Sequence, residues 1–527
     1  MRRERLEVIL LLAAAAVCGA VVMAVELLGA RRLSVVYGGS LSVWAAMISV
    51  TLLSLAVGYF LGGWLADRFP RPALLGAFLV ATGGLLVLCP HTDFVLRACY
   101  RAMGLKAGAL ASSAAIFSLP LGLMGMTSPF VIRLLCTGKS ETRVGVTSGG
   151  VYAISTVGSV VGTLLTGLWL IPTLGNAAGF RIVAVTAALV GAALFVLGMG
   201  RRGAAALALP VILVFIPGPT GRVGEEYTAP DGERVKVVAA RESAHGHIVV
   251  LEKGEYKLLV VNGIVQTGIP SQFRKGKGLE DRYFQELLPY MVDDPRRANA
   301  LIIGLAGGMT ASMLKLYEMD VDSVDLDPTI IEVAREHFRF TGGAVAADGR
   351  RFLEDCTKKY DFCVIDTYSG DVFPFHLATR EAFTAAKRVL KPDGVLAMNY
   401  IGSPKGKAFA CLRATVGEVF GHLLAIRGEE GDDVQTVTLF ASDREIRFNR
   451  RWQDHALDFA GFSGPDPVLM DIQRLTIPPP TEGTLILTDD YNPIDFLRAG
   501  EALRWRERTA RSIGDAAFFP CSYRPTR

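Results

Sequence analysis

The chain has 527 residues, 55 Lys+Arg against 51 Asp+Glu for a formal net charge of +4, and a mean hydropathy of +0.35. So small an excess without a basic block excludes nucleic-acid binding driven by bulk charge, and such a hydropathy excludes an ordinary soluble enzyme. The eight cysteines, Cys18 to Cys521, are scattered without a CxxC pair, which excludes a zinc ribbon or a disulfide framework and suits a reducing compartment.

Residues 1–218 read as a multi-pass membrane domain. A hydrocarbon core of about 30 Å needs about 20 apolar residues per pass. Six runs qualify: Val8 to Leu28, Leu41 to Leu65, Ala73 to Leu88, Ala109 to Ile132, Val146 to Ile171 and Ile182 to Met199. Placing the N-terminus in the cytoplasm puts Arg2, Arg3, Arg5, Arg68, Arg71, Arg133, Lys139, Arg143, Arg201 and Arg202 inside and Arg31, Arg32, Arg97, Arg101 and Lys106 on the opposite face, a bias in the sense of the positive-inside rule. The loop GGWLADRFPRP (Gly62 to Pro72) resembles the GxxxDRxxR loop of major facilitator transporters, which is cytoplasmic there. A seventh apolar stretch, 203–217, is short and holds Pro210 and Pro217, so it reads as interfacial or re-entrant. Glycines in runs such as SVVGTLLTG (Ser159 to Gly167) let helices approach closely in lipid. Glu26 lies near the end of the first run, within reach of Arg31 or Arg32.

Residues 219–290 read as a small β-rich segment. HIVVLEK (His247 to Lys253) and YKLLVVNGIVQ (Tyr256 to Gln266) are predicted strands joined by a Gly-Glu turn. A basic loop follows with Arg274, Lys275 and Lys277, and then EDRYFQELLPYM with helical spacing. His245 and His247 share a strand face, but no cysteine or acid motif accompanies them and no metal site is predicted.

From 291 to 527 strands and helices alternate, which predicts a mostly parallel, Rossmann-like sheet covered on both faces. The strands are ANALIIGL, VDSVDLD, GAVAAD, YDFCVID and GVLAMNYI; helices lie between them, one opening on Pro328. Ligands of such sheets gather beyond the carboxyl ends of the strands. Four successive strands deliver polar groups there: Gly304, Gly307 and Gly308, then Asp325 and Asp327, then Asp348, then Asp366. Asp325 is spaced to accept from ribose hydroxyls, and Asp348 from the adenine side. The turn is GLAGG, not GxGxxG, and carries no cation for a phosphate. An acidic rim suits a sulfonium nucleoside, S-adenosylmethionine or a derivative, better than a dinucleotide.

From about Glu242 to Phe440 the residues resemble the spermidine synthase (polyamine aminopropyltransferase) family, and the whole chain resembles its membrane-fused branch. The matching elements, in family order, are ESAHGHI, LLVVNGIVQ, YFQELL, LIIGLAGG, VDLD, ADGRRFL and YDFCVID; the later LTDDYNP is similar to that branch. The resemblance implies a class I S-adenosylmethionine-dependent transferase fold, and transfer of an aminopropyl group from decarboxylated S-adenosylmethionine, bound as co-substrate, to an amine such as putrescine. It assigns Asp366 as proton acceptor, Asp325 to the ribose, and Asp348 with Gly349 to the adenine. Gln285 falls where the family often has a histidine at the amine pocket, which Tyr368 also borders. A homodimer is implied by analogy, and the soluble domain is expected in the cytoplasm.

Four departures bear on that expectation. Gly307 replaces the acid that holds the donor's aminopropyl nitrogen, and Ser369 replaces a second acid. His245-Gly246 stands for a tyrosine-glutamine pair, and GDVFP for Asp-Pro-x-Gly-Pro. An acid about 4 Å from an ammonium contributes up to about 4 kcal/mol at an effective dielectric near 20 before desolvation. Its loss opens ordinary S-adenosylmethionine, and methyl transfer, as an alternative; Asp371, Asp489 or Asp490 are candidate replacements. A transporter with a nucleoside-sensing domain is the remaining alternative.

Overall fold

A computed structural model of the chain describes residues 2–39, 41–136, 144–200, 206–216, 223–270, 284–429, 431, 433–448, 475–479 and 484–514. Two compact units divide the chain, one spanning Met1–Arg222 and the other Val223–Arg241 with His245–Phe518. Lys139, Arg143, Arg201, Arg202, Arg274, Lys275, Lys277 and Cys521 lie outside the described residues.

The first unit is helical: α1 Arg2–Tyr37, α2 Leu41–Arg68, α3 Pro72–Leu88, α4 Asp93–Gly125, α5 Thr127–Cys136, α6 Val144–Leu165, α7 Ile171–Met199 and the short α8 Ala208–Phe215. Among the described residues five helices are long and apolar enough to cross a membrane, where six runs were expected, because Val144–Met199 counts as one helix of 56 residues. Helical geometry breaks inside it at Gly175, whose φ is 76°, so the two expected runs fall on either side of a kink. Helix α8 has eight residues, about 12 Å, and is too short to span.

Small residues set the spacing of these helices. A Cβ on Gly158 would lie 2.0 Å from the Ala16 carbonyl oxygen, and one on Gly19 2.0 Å from that of Ser155, so α1 and α6 touch backbone to backbone. Gly58 meets Gly122 across α2 and α4 in the same way, and Gly76 meets Gly191 across α3 and α7. The glycines therefore act in packing. Leu52, Phe60, Val161 and Leu168 are exposed on the surface of this unit. Arg32 pairs with the buried Asp93 at the start of α4.

The second unit contains two sheets. In the smaller one β1 Glu226–Thr228, β2 Arg234–Glu242, β3 His247–Lys253, β4 Tyr256–Val261 and β5 Ile264–Pro270 stand in chain order. The expected strand Tyr256 to Gln266 is in fact a hairpin: Val261 pairs with Ile264 across a two-residue turn. Both turn residues, Asn262 (φ 49°) and Gly263 (φ 80°), are left-handed, as a type I′ turn needs and an Asn-Gly pair supplies.

The larger sheet has seven strands in the order β11-β12-β10-β9-β6-β7-β8. They are β6 Asn299–Ile303, β7 Asp320–Asp325, β8 Ala344–Ala346, β9 Tyr360–Ile365, β10 Leu390–Gly402, β11 His422–Arg427 and β12 Gln435–Ser442. Strands β8, β7, β6, β9 and β10 run parallel; β12 is antiparallel to both β10 and β11. The accompanying helices are α9 Met309–Leu316, α10 Pro328–His337, α11 Gly349–Asp355, α12 Arg380–Val389, α13 Lys407–Gly417 and α14 Ile494–Ile513. Of the expected helix Glu280 to Met291, the described part, Phe284–Met291, is a 3-10 helix containing Pro289.

Central strands are apolar on both faces. Leu301, Ile303, Cys363 and Ile365 pack into one core, and Ala300, Ile302, Phe362 and Val364 into the other. Each fully buried aliphatic side chain contributes about 2 kcal/mol, which fixes the register because a one-residue slip would exchange the faces. Strand order reverses between β6 and β9, so the crevice of this sheet opens at their carboxyl ends.

Candidate active site

The GLAGG turn leaves β6 in a conformation that only small residues tolerate. Gly304 has φ 95°, and a Cβ there would sit 2.0 Å from the Asp366 carbonyl oxygen. Ala306 also has positive φ, 46°, and Gly308 73°. The turn thus lies directly on the end of β9, where the Asp366 N–H donates to the Ile303 carbonyl.

An open cleft of about 1010 Å³, counted to its mouth, lies at this edge. Gly304, Asp325, Asp327, Asp348, Gly349, Asp366, Tyr368, Ser369 and His245 all line it. Gly307 and Gly308 do not; Gly307 is tucked under Thr267, whose Oγ1 accepts its N–H at 3.2 Å, and Gly308 abuts Phe340. Gln285 lies on the 3-10 helix, its side chain outside what is described.

Asp325 ends β7 and accepts the Leu305 N–H at 2.8 Å and the Asp327 N–H at 2.9 Å. Burial pushes its carboxyl above the usual range, against those two backbone donors. Asp327 caps α10 by accepting from the Thr329 N–H, with Pro328 at the first helical position. Asp348 caps α11 through the Arg351 N–H, and its other oxygen lies 3.2 Å from His376 Nε2. Carboxylates with one lone pair spent on backbone N–H groups are held in orientation yet keep acceptor capacity for hydroxyl or amino groups.

At the end of β9 the cleft is built around Asp366. Its Oδ1 accepts from the Asn399 amide at 2.8 Å, and burial drives its pKa above the ordinary carboxylate value while that amide opposes the rise. Thr367, its neighbour, holds a buried Oγ1 without a partner. The Tyr368 hydroxyl accepts the Ile401 N–H at 2.7 Å, and burial pushes it up to about 12. The Ser369 hydroxyl donates to the His245 carbonyl at 3.4 Å. Leu259, Val261, Val372 and Pro374 add apolar wall.

The candidate replacement acids are committed elsewhere. Asp371 is buried against Arg506 at 2.7 Å, Asp489 accepts from Thr379 Oγ1 at 2.7 Å and pairs with Arg350, and Asp490 is exposed; none of the three lines the cleft. His376, Gln266 and Asn399 escaped the sequence reading. His376 stands in no quoted motif; Gln266 ends LLVVNGIVQ, which was read as strand and not as site; Asn399 did give a signal, a lone amide within an otherwise apolar strand. Among the described residues no group of His, Cys, Asp and Glu could hold a metal ion.

The fold and cleft define a Rossmann-like domain with its ligand edge at the switch point. Residues 280–405, within the second unit, match the spermine/spermidine synthase domain. The chain is 27% identical to a probable polyamine aminopropyl transferase of Bifidobacterium longum over 282 residues, 49% of this chain and 61% of that protein. It is 28% identical to a polyamine aminopropyltransferase of Vibrio vulnificus over 286 residues, 50% of this chain and 91% of that protein. It is 27% identical to polyamine aminopropyltransferase 1 of Streptomyces coelicolor over 421 residues, 75% of this chain and 76% of that protein. Three quarters of the chain is more than the soluble unit holds, so this last similarity reaches into the helical unit.

Proposed function

We propose that the chain is a membrane-anchored aminopropyltransferase that moves the aminopropyl group of decarboxylated S-adenosylmethionine onto an amine such as putrescine. The observation that carries this reading is Asp366, a buried carboxyl of raised pKa on the same cleft as Asp325 and Asp348. An amine attacks only when neutral, so the reaction needs a carboxylate that takes its proton and aims its lone pair. Burial raises the basicity of Asp366 toward that task. Asp325 and Asp348 hold the nucleoside from the ribose and adenine sides, and Gly304 lets it approach the backbone. The nitrogen–carbon bond forms as the carbon–sulfur bond breaks, the electron pair goes to sulfur, and methylthioadenosine leaves.

The helical unit, in this reading, crosses the bilayer in six passes and returns the chain to the side of Arg2, Arg3 and Arg5, the cytoplasm. A second reading, methyl transfer from ordinary S-adenosylmethionine, is favoured by the GLAGG turn, which carries no carboxylate.

Full-length protein supplied with decarboxylated S-adenosylmethionine and putrescine should release methylthioadenosine. Asp366→Asn should lose about 100-fold or more in kcat and still bind donor. Equal product from Asp366→Asn would sink the reading, and faster turnover of the carboxylated donor to S-adenosylhomocysteine would replace it with the second.

A further inference from the structure

Helix α14 lies beyond the matched stretch 280–405, yet two of its arginines are among the most buried side chains, Arg498 at 3% and Arg506 at 0% exposure. Burying a guanidinium costs several kcal/mol unless charge and hydrogen bonds offset it. Docking a helix on a sheet does not by itself call for two such groups. Both are spent on the segment that follows Asp366.

Arg506 donates from Nη2 to Asp371 Oδ1 at 2.7 Å and from Nε to Oδ2 at 3.3 Å. Its Nη1 donates to the Asn262 carbonyl at 3.0 Å, so one side chain ties this segment to the β4–β5 turn. Arg498 lies over three rings, 5.4 Å from the centroid of Tyr368, 5.7 Å from Phe373 and 5.5 Å from Tyr400. Its Nη2 donates to the Ile401 carbonyl at 2.9 Å, and the Ile401 N–H returns to the Tyr368 hydroxyl. The segment between these grips turns tightly, with Gly370 at φ 66° and a bridge from Ser369 to Val372. Tyr368, Ser369 and Val372 face the cleft.

We propose that α14 is a positioning clamp: Arg498 and Arg506 fix the Tyr368–Phe373 segment against Asp366 and so set where the acceptor amine lies. Neither arginine lines the cleft. The catalytic part of the inference rests on Asp366 being the proton acceptor; the clamp itself does not.

The test uses full-length Arg498→Gln and Arg506→Gln proteins, with Arg508→Gln, a half-exposed residue of the same helix, as the comparison. Amide hydrogen exchange reads the segment. Turnover is expressed per donor-binding site, counted by calorimetry with decarboxylated S-adenosylmethionine, so that misfolded protein does not enter. In both buried variants exchange over 367–373 rises about ten-fold or more. Their kcat per site falls about ten-fold or more with donor Kd within about two-fold, because misplaced reacting groups lose rate without losing adenosine contacts. Arg506→Lys restores part of the loss, and Arg508→Gln matches the wild type. If Arg506→Gln fails to fold, Asp371→Asn cuts the same contact from the other side. Unchanged exchange over 367–373 overturns the clamp, and raised exchange with unaltered kcat per site overturns its link to transfer. A wild type that releases no methylthioadenosine is a failure of the functional reading, and the exchange arm still decides the clamp.

Discussion

The side-chain amide of Asn399 donates to the carboxylate of Asp366 across 2.8 Å, from the middle of β10 to the end of the neighbouring β9. It is the contact that opposes the burial-driven rise of the Asp366 pKa. A donor to the charged form favours that form, so its removal lets the pKa climb further. In Asn399→Ala the acidic limb of the kcat/KM profile should move to higher pH by about one unit. An unmoved limb, measured between pH 5 and 9, would disconnect Asn399 from the proton acceptor.

Asp366 should also weaken the fold that it serves. Its folded-state pKa is raised above the unfolded value, so its contribution to stability is fully present at low pH and is lost as pH rises through the folded value. Asp366→Asn removes that loss. The variant should unfold at a higher temperature than the wild type at pH 8, and the two should converge near pH 4, about the unfolded carboxyl value. A variant less stable at every pH would mean that the carboxylate is structurally required.

Gly304→Ala should damage both halves of the cleft together. Its new methyl would lie 2.0 Å from the Asp366 carbonyl oxygen, on backbone with φ 95°. Relieving that overlap means moving either the donor turn or the end of β9, and the strain costs about 3 kcal/mol or more. Donor affinity and turnover should fall in parallel. Loss of one alone would show that the turn and the strand end move independently.

His376 should act on donor binding and not on chemistry. Its ring holds Asp348 Oδ2 at 3.2 Å while the Arg351 N–H holds the other oxygen. In His376→Ala the helix cap survives and one carboxylate oxygen is freed, so donor Kd should rise about five-fold with kcat nearly unchanged. The reverse pattern in titration calorimetry and steady-state kinetics would move His376 to the transfer end.

The alternation of apolar strands with helices, and the acids that end those strands, were legible because parallel sheets bury both faces and leave polar side chains only at their rims. The hairpin at Asn262-Gly263 was signalled by its Asn-Gly pair, yet the apolar runs on both sides of that pair read as one continuous strand. Helix α14 escaped for the opposite reason. Its sequence IDFLRAGEALRWRERTARSI is rich in charge and reads as solvent-facing, yet Arg498, Glu501 and Arg506 are buried. A single chain does not reveal that Asp371 is matched to Arg506, because the partners stand 135 residues apart. The same holds for Asp489, which belongs to Arg350 and Thr379.

The two-residue turn between β4 and β5 also governs how a purified sample would age. In an asparagine-glycine pair the following backbone nitrogen is unhindered and closes on the side-chain amide, giving a succinimide and then isoaspartate. At Asn262 that rearrangement would add a methylene to the main chain at the carbonyl where Arg506 is seated. The side-chain oxygen of Asn262 is occupied by the His247 N–H at 2.9 Å, which restrains the amide in the folded state. Storage under conditions that loosen this hairpin would thus alter, through a change of a single mass unit, the residue that follows Val261 of the cleft wall.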